Sequence, residues 1–185
     1  MNGRPRRRFR RRPVRSLVIL LALALLIAAR YFFSGPAVPT RGQPLPAGTY
    51  PVERVVDGDT LLLRDDIRVR LIGVDTPETV RPEHPVEPFG PEAAQFTRAF
   101  LSGGQARLTF DREREDRYGR KLAYVWVDRQ LLNEELLRAG LARWERGFDY
   151  AEPMKRRFQQ AERQAQNAGR GIWSSQAADG AASQP

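Results

Sequence analysis

The chain reads as an α+β protein: a five-stranded Greek-key barrel with three helices, preceded by one strongly apolar segment. Three observations lead to that fold class. Short β-rich runs cluster at residues 50–73 and 106–127, separated by turn signals and charged loops. The helix-type segments are too few to serve as crossovers in a parallel sheet. The 185 residues contain no cysteine, so a domain of ordinary size must be held by its core alone.

The N-terminus is set apart by composition. Residues 1–15 hold eight arginines and no acid. Residues 16–33 form an 18-residue apolar stretch broken only by Arg30. As a helix it spans about 27 Å, against about 30 Å for a hydrocarbon core. The arginines predict that this end stays cytoplasmic and that the remainder crosses the membrane. Residues 16–33 are thus either a transmembrane anchor or the apolar core of an export signal, the paired arginines also allowing a twin-arginine signal. The one nearby cleavage candidate, Gly35-Pro36-Ala37, is spoiled by its proline, which favours the anchor. Both readings place the domain after the leader outside the cytoplasm.

Residues 34–48 are rich in proline and glycine and read as a linker. Residues 49–174 form the folded domain, expected to be a monomer, and 175–185 a small, polar, disordered tail. The net charge of +9 belongs to the leader. Nine basic residues precede Ser34, and the other 22 balance the 22 acids. Composition therefore shows no basic binding face on the domain.

Within the domain, residues 50–56, 60–64 and 67–73 read as three consecutive antiparallel strands. Pro91 opens a helix that Gly103-Gly104 stops, with Ala93, Phe96 and Ala99/Phe100 at apolar spacing. Residues 106–110 and 122–127 return to strand composition around a charged loop. Residues 131–139 form a helix with Leu132, Leu136 and Leu137 inward, ended by Gly140, and Asn133-Glu134 supports its start. Residues 154–168 make a polar helix ending at Gly169. Trp126, Trp144 and Trp173 sit among apolar neighbours and are assigned to the core. Five short strands with these helices suit a barrel of the OB type.

The absence of cysteine and the single histidine, His84, exclude a thiolate zinc site, a cysteine nucleophile and any two-imidazole site. His84 falls in a proline-rich loop, residues 80–88, and is expected to be solvent-exposed. Chemistry is left to carboxylates, arginines, hydroxyls and a hard cation. Asp57-Gly58-Asp59-Thr60 lies between strands one and two, and Asp75-Thr76-Pro77-Glu78 lies just past strand three. Those positions share one end of the meander, so Asp59, Asp75 and Glu78 are placed to converge on Ca²⁺ or Mg²⁺. Taken alone the acids also read as ordinary turn and cap residues, and Asp57 as either a supporting acid or a turn residue. The arginines add weight. Arg70 leaves strand three close to Asp75, where it serves an ion pair or a bound phosphate, while Arg68 fits a solvated face. Arg117 and Arg120 flank Tyr118 in a basic loop before strand five. Carboxylates for a metal together with arginines for developing negative charge are equipment for phosphoryl chemistry.

Six stretches, in order, resemble the staphylococcal nuclease (thermonuclease) family: VVDGDTLLL (55–63), VRLIGVDTPE (69–78), FGPEAAQFT (89–97), DRYGRKLAYVWV (116–127), LLNEELLRAGLARW (131–144) and GIWS (171–174). The resemblance covers nearly the whole domain. It implies an OB-fold barrel and a Ca²⁺-dependent phosphodiesterase acting on DNA and RNA, single strands preferred, that leaves 3′-phosphate ends. It implies Asp59, Asp75 and the carbonyl of Thr76 as calcium ligands, and Glu78 as general base or water-positioning residue. It implies Arg70 and Arg120 on the scissile phosphate, and Arg117 and Tyr118 in substrate binding. Two features depart from the family pattern. Arg117 replaces a common lysine, and residues 145–150 lack two base-stacking tyrosines, with Phe148 and Tyr150 the aromatics nearest that position. A catalytically inactive OB-fold module that only binds nucleic acid is the alternative, and a calcium-binding structural domain the second rival.

Overall fold

The computed structural model describes residues 22–26, 44–79 and 87–174. Residues 22–26 are helical, and Leu23, Leu25 and Leu26 among them are exposed. Among the described residues no helix is long and apolar enough to cross a membrane. The other residues of the expected anchor, residues 1–15, most of the linker, His84 and the tail lie outside the described residues.

The described strands are β1 (Gly48–Val55), β2 (Thr60–Leu63), β3 (Arg68–Leu71), β4 (Val74–Asp75), β5 (Gln105–Thr109), β6 (Lys121–Val127), β7 (Gln130–Leu131) and β8 (Arg143–Trp144). The helices are α1 (Gly90–Phe100), α2 (Leu132–Ala139) and α3 (Glu152–Asn167). Antiparallel pairing runs β3-β2-β1-β5-β6, and a parallel pairing of β3 with β6 closes these five strands into a barrel. β7 extends the edge at β6, and β4 pairs with β8 in a separate two-stranded ribbon. Sequence periodicity gave no sign of that ribbon, because two-residue strands carry no pattern.

β1 serves two neighbours. Residues 48–51 pair with β5, and the register against β2 shifts between Val52 and Arg54. Such a bulge bends a strand and lets it turn a barrel corner. Leu45, expected in the linker, is buried, and its carbonyl accepts from Arg114 Nη2 at 2.7 Å.

The helices lock the open side of the barrel. Leu132, Leu136 and Leu137 of α2 are buried as expected. Asn133 Oδ1 accepts from Val125 N–H at 3.0 Å, and its Nδ2 donates to Ile72 O at 2.9 Å. One buried amide thus ties α2 to β6 and to the chain just after β3. In α1 the buried face is Ala93, Ala94 and Thr97, whereas Phe96 and Phe100 are half-buried and stack on each other at 6.2 Å. The small residues are inward because α1 rests directly on the 57–59 turn. Trp126, Trp144 and Trp173 are also half-buried and not core residues. Each carries a guanidinium over its ring, from Arg107, Arg146 and Arg143 respectively.

Asp111 links the end of β5 to the start of α3. Its Oδ2 accepts from the Tyr124 hydroxyl at 2.7 Å and from Ala151 N–H at 3.0 Å. Burial alone would raise its pKa, but these donors and Arg112 N–H outweigh burial and hold it below the usual carboxylate value. A depressed folded pKa gives stability that is present above the unfolded value, about 3.9, and is lost as the pH falls through the folded value. Asp111→Asn should lower the urea midpoint at neutral pH and flatten the loss of stability below about pH 5, both read from urea titrations across pH.

Candidate active site

The site starts from a turn that only a small residue permits. A Cβ on Gly58 would lie 2.7 Å from Thr76 Oγ1 and 2.8 Å from the Ala93 Cβ. The absence of a side chain lets the 57–59 turn sit against both the 75–78 segment and α1. Thr97 of α1 donates its hydroxyl to Gly58 O at 2.6 Å, and Asp59 N–H donates to Asp57 Oδ1 at 3.1 Å. Asp57 is therefore both a turn residue and a neighbour of Asp59.

Asp59 is buried at the head of β2. Its Oδ1 accepts from Thr60 Oγ1 at 3.0 Å and from Arg70 Nη1, and its Oδ2 accepts from Thr76 N–H at 2.9 Å and Thr76 Oγ1 at 3.2 Å. Arg70, one register step along from Val69 in β3, is also buried. Its second nitrogen, Nη2, donates to Asp75 Oδ1 at 2.8 Å and to Val74 O at 3.2 Å. One guanidinium therefore spans two carboxylates from two different segments. The Asp59 side chain is 4% exposed and that of Asp75 is 55% exposed, so the assembly opens to solvent at Asp75.

Charge does not balance inside this group. Asp57, Asp59 and Asp75 face a single guanidinium, an excess of two negative charges if all three ionise. Burial, and then the charge of Asp59, push the Asp57 pKa up to about 6. The same two causes raise Asp75 despite its bond to Arg70. Burial disfavours the charged Arg70, but Asp59 and Asp75 overcome that and raise its pKa. An oxygen-only donor set with surplus negative charge fits a hard divalent cation such as Ca²⁺.

The sequence-predicted residues are brought together unevenly. Asp59, Asp75, Thr76 and Arg70 form one bonded group. Among the described residues no group of three or more acidic or histidine side chains is placed to hold a metal ion by itself. Glu78 is half-buried at the neck of its loop, where its N–H donates to Glu87 Oε2 at 3.1 Å and its carbonyl accepts from Glu87 N–H at 3.0 Å. Arg120 is set by Asp116, whose Oδ2 accepts from Arg120 Nε at 2.7 Å and whose Oδ1 accepts from the N–H groups of Tyr118 and Arg120. The parallel register Arg70↔Leu122 puts this loop beside β3. Tyr118 is 68% exposed, with Arg117 and Arg120 over its ring at 4.8 and 5.5 Å. Tyr150 is fully buried, its hydroxyl taking Trp144 Nε1–H at 2.6 Å, and so has no face for a base. Phe148 is half-buried against the core.

Sequence reasoning missed Asp116 and Thr97 as supports of the site. Asp116 sits in the DRYGR stretch, and its four-residue spacing from Arg120 was the available signal. Thr97 had none, because its partner lies 39 positions away.

Residues 68–175 match the family model described as staphylococcal nuclease homologue. The chain is 41% identical over 165 residues to the thermonuclease of Staphylococcus hyicus, covering 85% of this chain and 95% of that protein. This chain belongs to the staphylococcal nuclease family. It is also 39% identical over 165 residues to the thermonuclease of Staphylococcus intermedius, with 84% and 95% covered. Endonuclease YncB of Bacillus subtilis (strain 168) is 36% identical over 129 residues, which span 66% of this chain and 60% of the relative. The barrel with three helices agrees with that membership.

In this family member the Asp59–Arg70 pair should behave as a buried ion pair. Arg70→Ala leaves Asp59 buried without its cation and should cost about 3–5 kcal/mol in denaturant unfolding. Adding Asp59→Asn to it should recover part of that loss, since the orphaned charge is then gone.

Proposed function

We propose that the chain is a calcium-dependent nuclease that hydrolyses phosphodiester bonds of DNA and RNA, single strands preferentially. The observation that carries this reading is Arg70 held between Asp59 and Asp75, a guanidinium seated inside a carboxylate group. Family membership and the thermonuclease relatives support it.

In this mechanism Asp59, Asp75 and the carbonyl of Thr76 would hold a calcium ion, which when bound would supply Lewis-acid polarisation of the phosphate and offset the local excess of negative charge. Arg70 and Arg120 bind the scissile phosphate and stabilise the charge that builds on its oxygens. Asp116 keeps the Arg120 guanidinium in one orientation, and Thr97 keeps the 57–59 turn in place. Glu78 takes a proton from the attacking water, or orients that water, at phosphorus. The bond to the 5′-oxygen breaks, leaving a 3′-phosphate and a 5′-hydroxyl. Arg117 and the exposed ring of Tyr118 grip the neighbouring nucleotide, the ring offering a stacking face.

The formally neutral domain favours modest affinity, with orientation supplied by a few arginines instead of a broad basic face. The arginine-rich residues 1–15 and apolar residues 16–33 support a location outside the cytoplasm, with the domain tethered by an anchor or released after export. Calcium is plentiful there.

The test is cleavage of single-stranded DNA under Ca²⁺, under Mg²⁺ and under chelator. Cutting should require Ca²⁺. Glu78→Gln should lower kcat by about 100-fold or more, and Arg120→Ala by about 100-fold or more, with the circular dichroism unchanged. Binding without cutting by the folded wild type would instead support the inactive OB-fold module.

A further inference from the structure

A cleft of about 550 Å³ adjoins Asp75 and Thr76. Its other walls are Phe89 at the head of α1, Arg143 on β8, and Trp173 and Ser174 in the C-terminal segment. Arg143 is the register partner of Asp75 in the β4–β8 ribbon, so the two side chains leave the same face. The two form no ion pair, while Arg70 holds Asp75 Oδ1. Among the described residues Arg143 has no ion pair and no side-chain hydrogen bond, and its guanidinium lies 4.6 Å above the Trp173 ring. The other carboxylate in the lining, Glu87, accepts from Glu78 N–H. Arg143 is therefore the cation of this cleft that no carboxylate of the described residues engages.

The wall opposite Asp75 is fixed by backbone contacts. Ile172 N–H donates to Gly140 O at 2.9 Å, and Trp173 N–H donates to Arg170 O at 3.0 Å. Gly140 and Gly171 approach so closely that a Cβ on Gly171 would lie 2.1 Å from Gly140 O. Trp173 Nε1 and Ser174 Oγ, in the two residues of this wall, are buried and have no hydrogen-bond partner among the described residues. A pinned aromatic ring and a guanidinium without an ion pair share one cleft beside the carboxylate group.

We propose that this cleft is a second nucleotide subsite, in which Arg143 binds the phosphate adjacent to the scissile one along a single strand. The Trp173 ring underlies Arg143 and sets its direction, Phe89 packs against that nucleotide's sugar and base, and the cleft's volume lies within the range of small-ligand sites. The inference rests on the nuclease reading, since the shared wall at Asp75 and Thr76 is what makes the two phosphates neighbours. Arg143 contributes to ground-state and transition-state binding alike, so its removal raises KM while kcat stays nearly level.

The experiment measures initial rates on decathymidylate with Ca²⁺ over a range of NaCl concentrations. Wild type, Arg143→Ala, Arg143→Lys and Arg129→Ala are compared, the last removing an equal charge from the exposed turn after β6. Arg143→Ala should raise KM about tenfold with kcat within about twofold. Its slope of log kcat/KM against log salt should be shallower by about 0.7, the loss of one phosphate contact on a single strand. Arg143→Lys should restore most of the slope, and Arg129→Ala should match wild type. An Arg143→Ala enzyme with wild-type KM and slope overturns the subsite. So does a fall in kcat with an unchanged slope, which means that Arg143 acts by holding Asp75. A folded wild type that cuts nothing ends the nuclease reading instead. Fluorescence anisotropy of labelled decathymidylate under chelator then decides the subsite. A shallower salt slope for Arg143→Ala sustains it, whereas an equal slope, or no binding by wild type, overturns it.

Discussion

The Arg70 guanidinium between Asp59 and Asp75 is the interaction on which the rest of this domain's organisation depends. A buried guanidinium is tolerated only with its donors met, and here β2, β3 and β4 must be in register to meet them. That requirement explains otherwise separate features: the bare Gly58 turn, the Thr97 hydroxyl reaching across from α1, and the Thr76 N–H and hydroxyl turned onto Asp59. The same arrangement leaves carboxylate charge in excess at the solvent-facing end, where a cation and a phosphate diester would both find complementary groups.

Much of this was legible in the sequence because the informative signals are local. Five barrel strands and three helices follow from β-rich runs, Pro91, the inward leucines of α2 and the glycine stops, and among the described residues the structure adds the short strands β4, β7 and β8 and two single turns of 3-10 helix, Arg64–Asp66 and Gly171–Trp173. Asp59, Arg70 and Asp75 could be singled out because each lies within a few residues of a turn or strand end. The features that escaped depend on long-range packing. The inward face of α1 is set by the turn beneath it and not by its own periodicity, so Ala94 and Thr97 displaced Phe96. The tryptophans, apolar by composition, sit at the edge of the core because cationic side chains cover their outer faces.

Net charge was the most misleading global number. A value of +9 invites a broad basic face, yet the excess lies ahead of Ser34 and the domain is formally neutral. On the proposed nuclease reading, recognition of a polyanion falls to individually placed arginines, each oriented by an acid or a ring. Asp116 orients Arg120, Tyr118 underlies Arg117, and Trp173 underlies Arg143. Cations oriented in this way would give a bound phosphate directional contacts without the long-range attraction of a basic patch.

Calcium binding at the Asp59–Asp75 group tests the central claim most directly. Isothermal titration calorimetry of the full chain, compared with Asp75→Asn, measures it without a substrate. The account predicts one calcium per chain for wild type and affinity reduced at least tenfold when the Asp75 charge is removed. Equal calcium affinity in the two proteins, with both shown to be folded, would contradict it and place any metal-dependent activity elsewhere in the molecule.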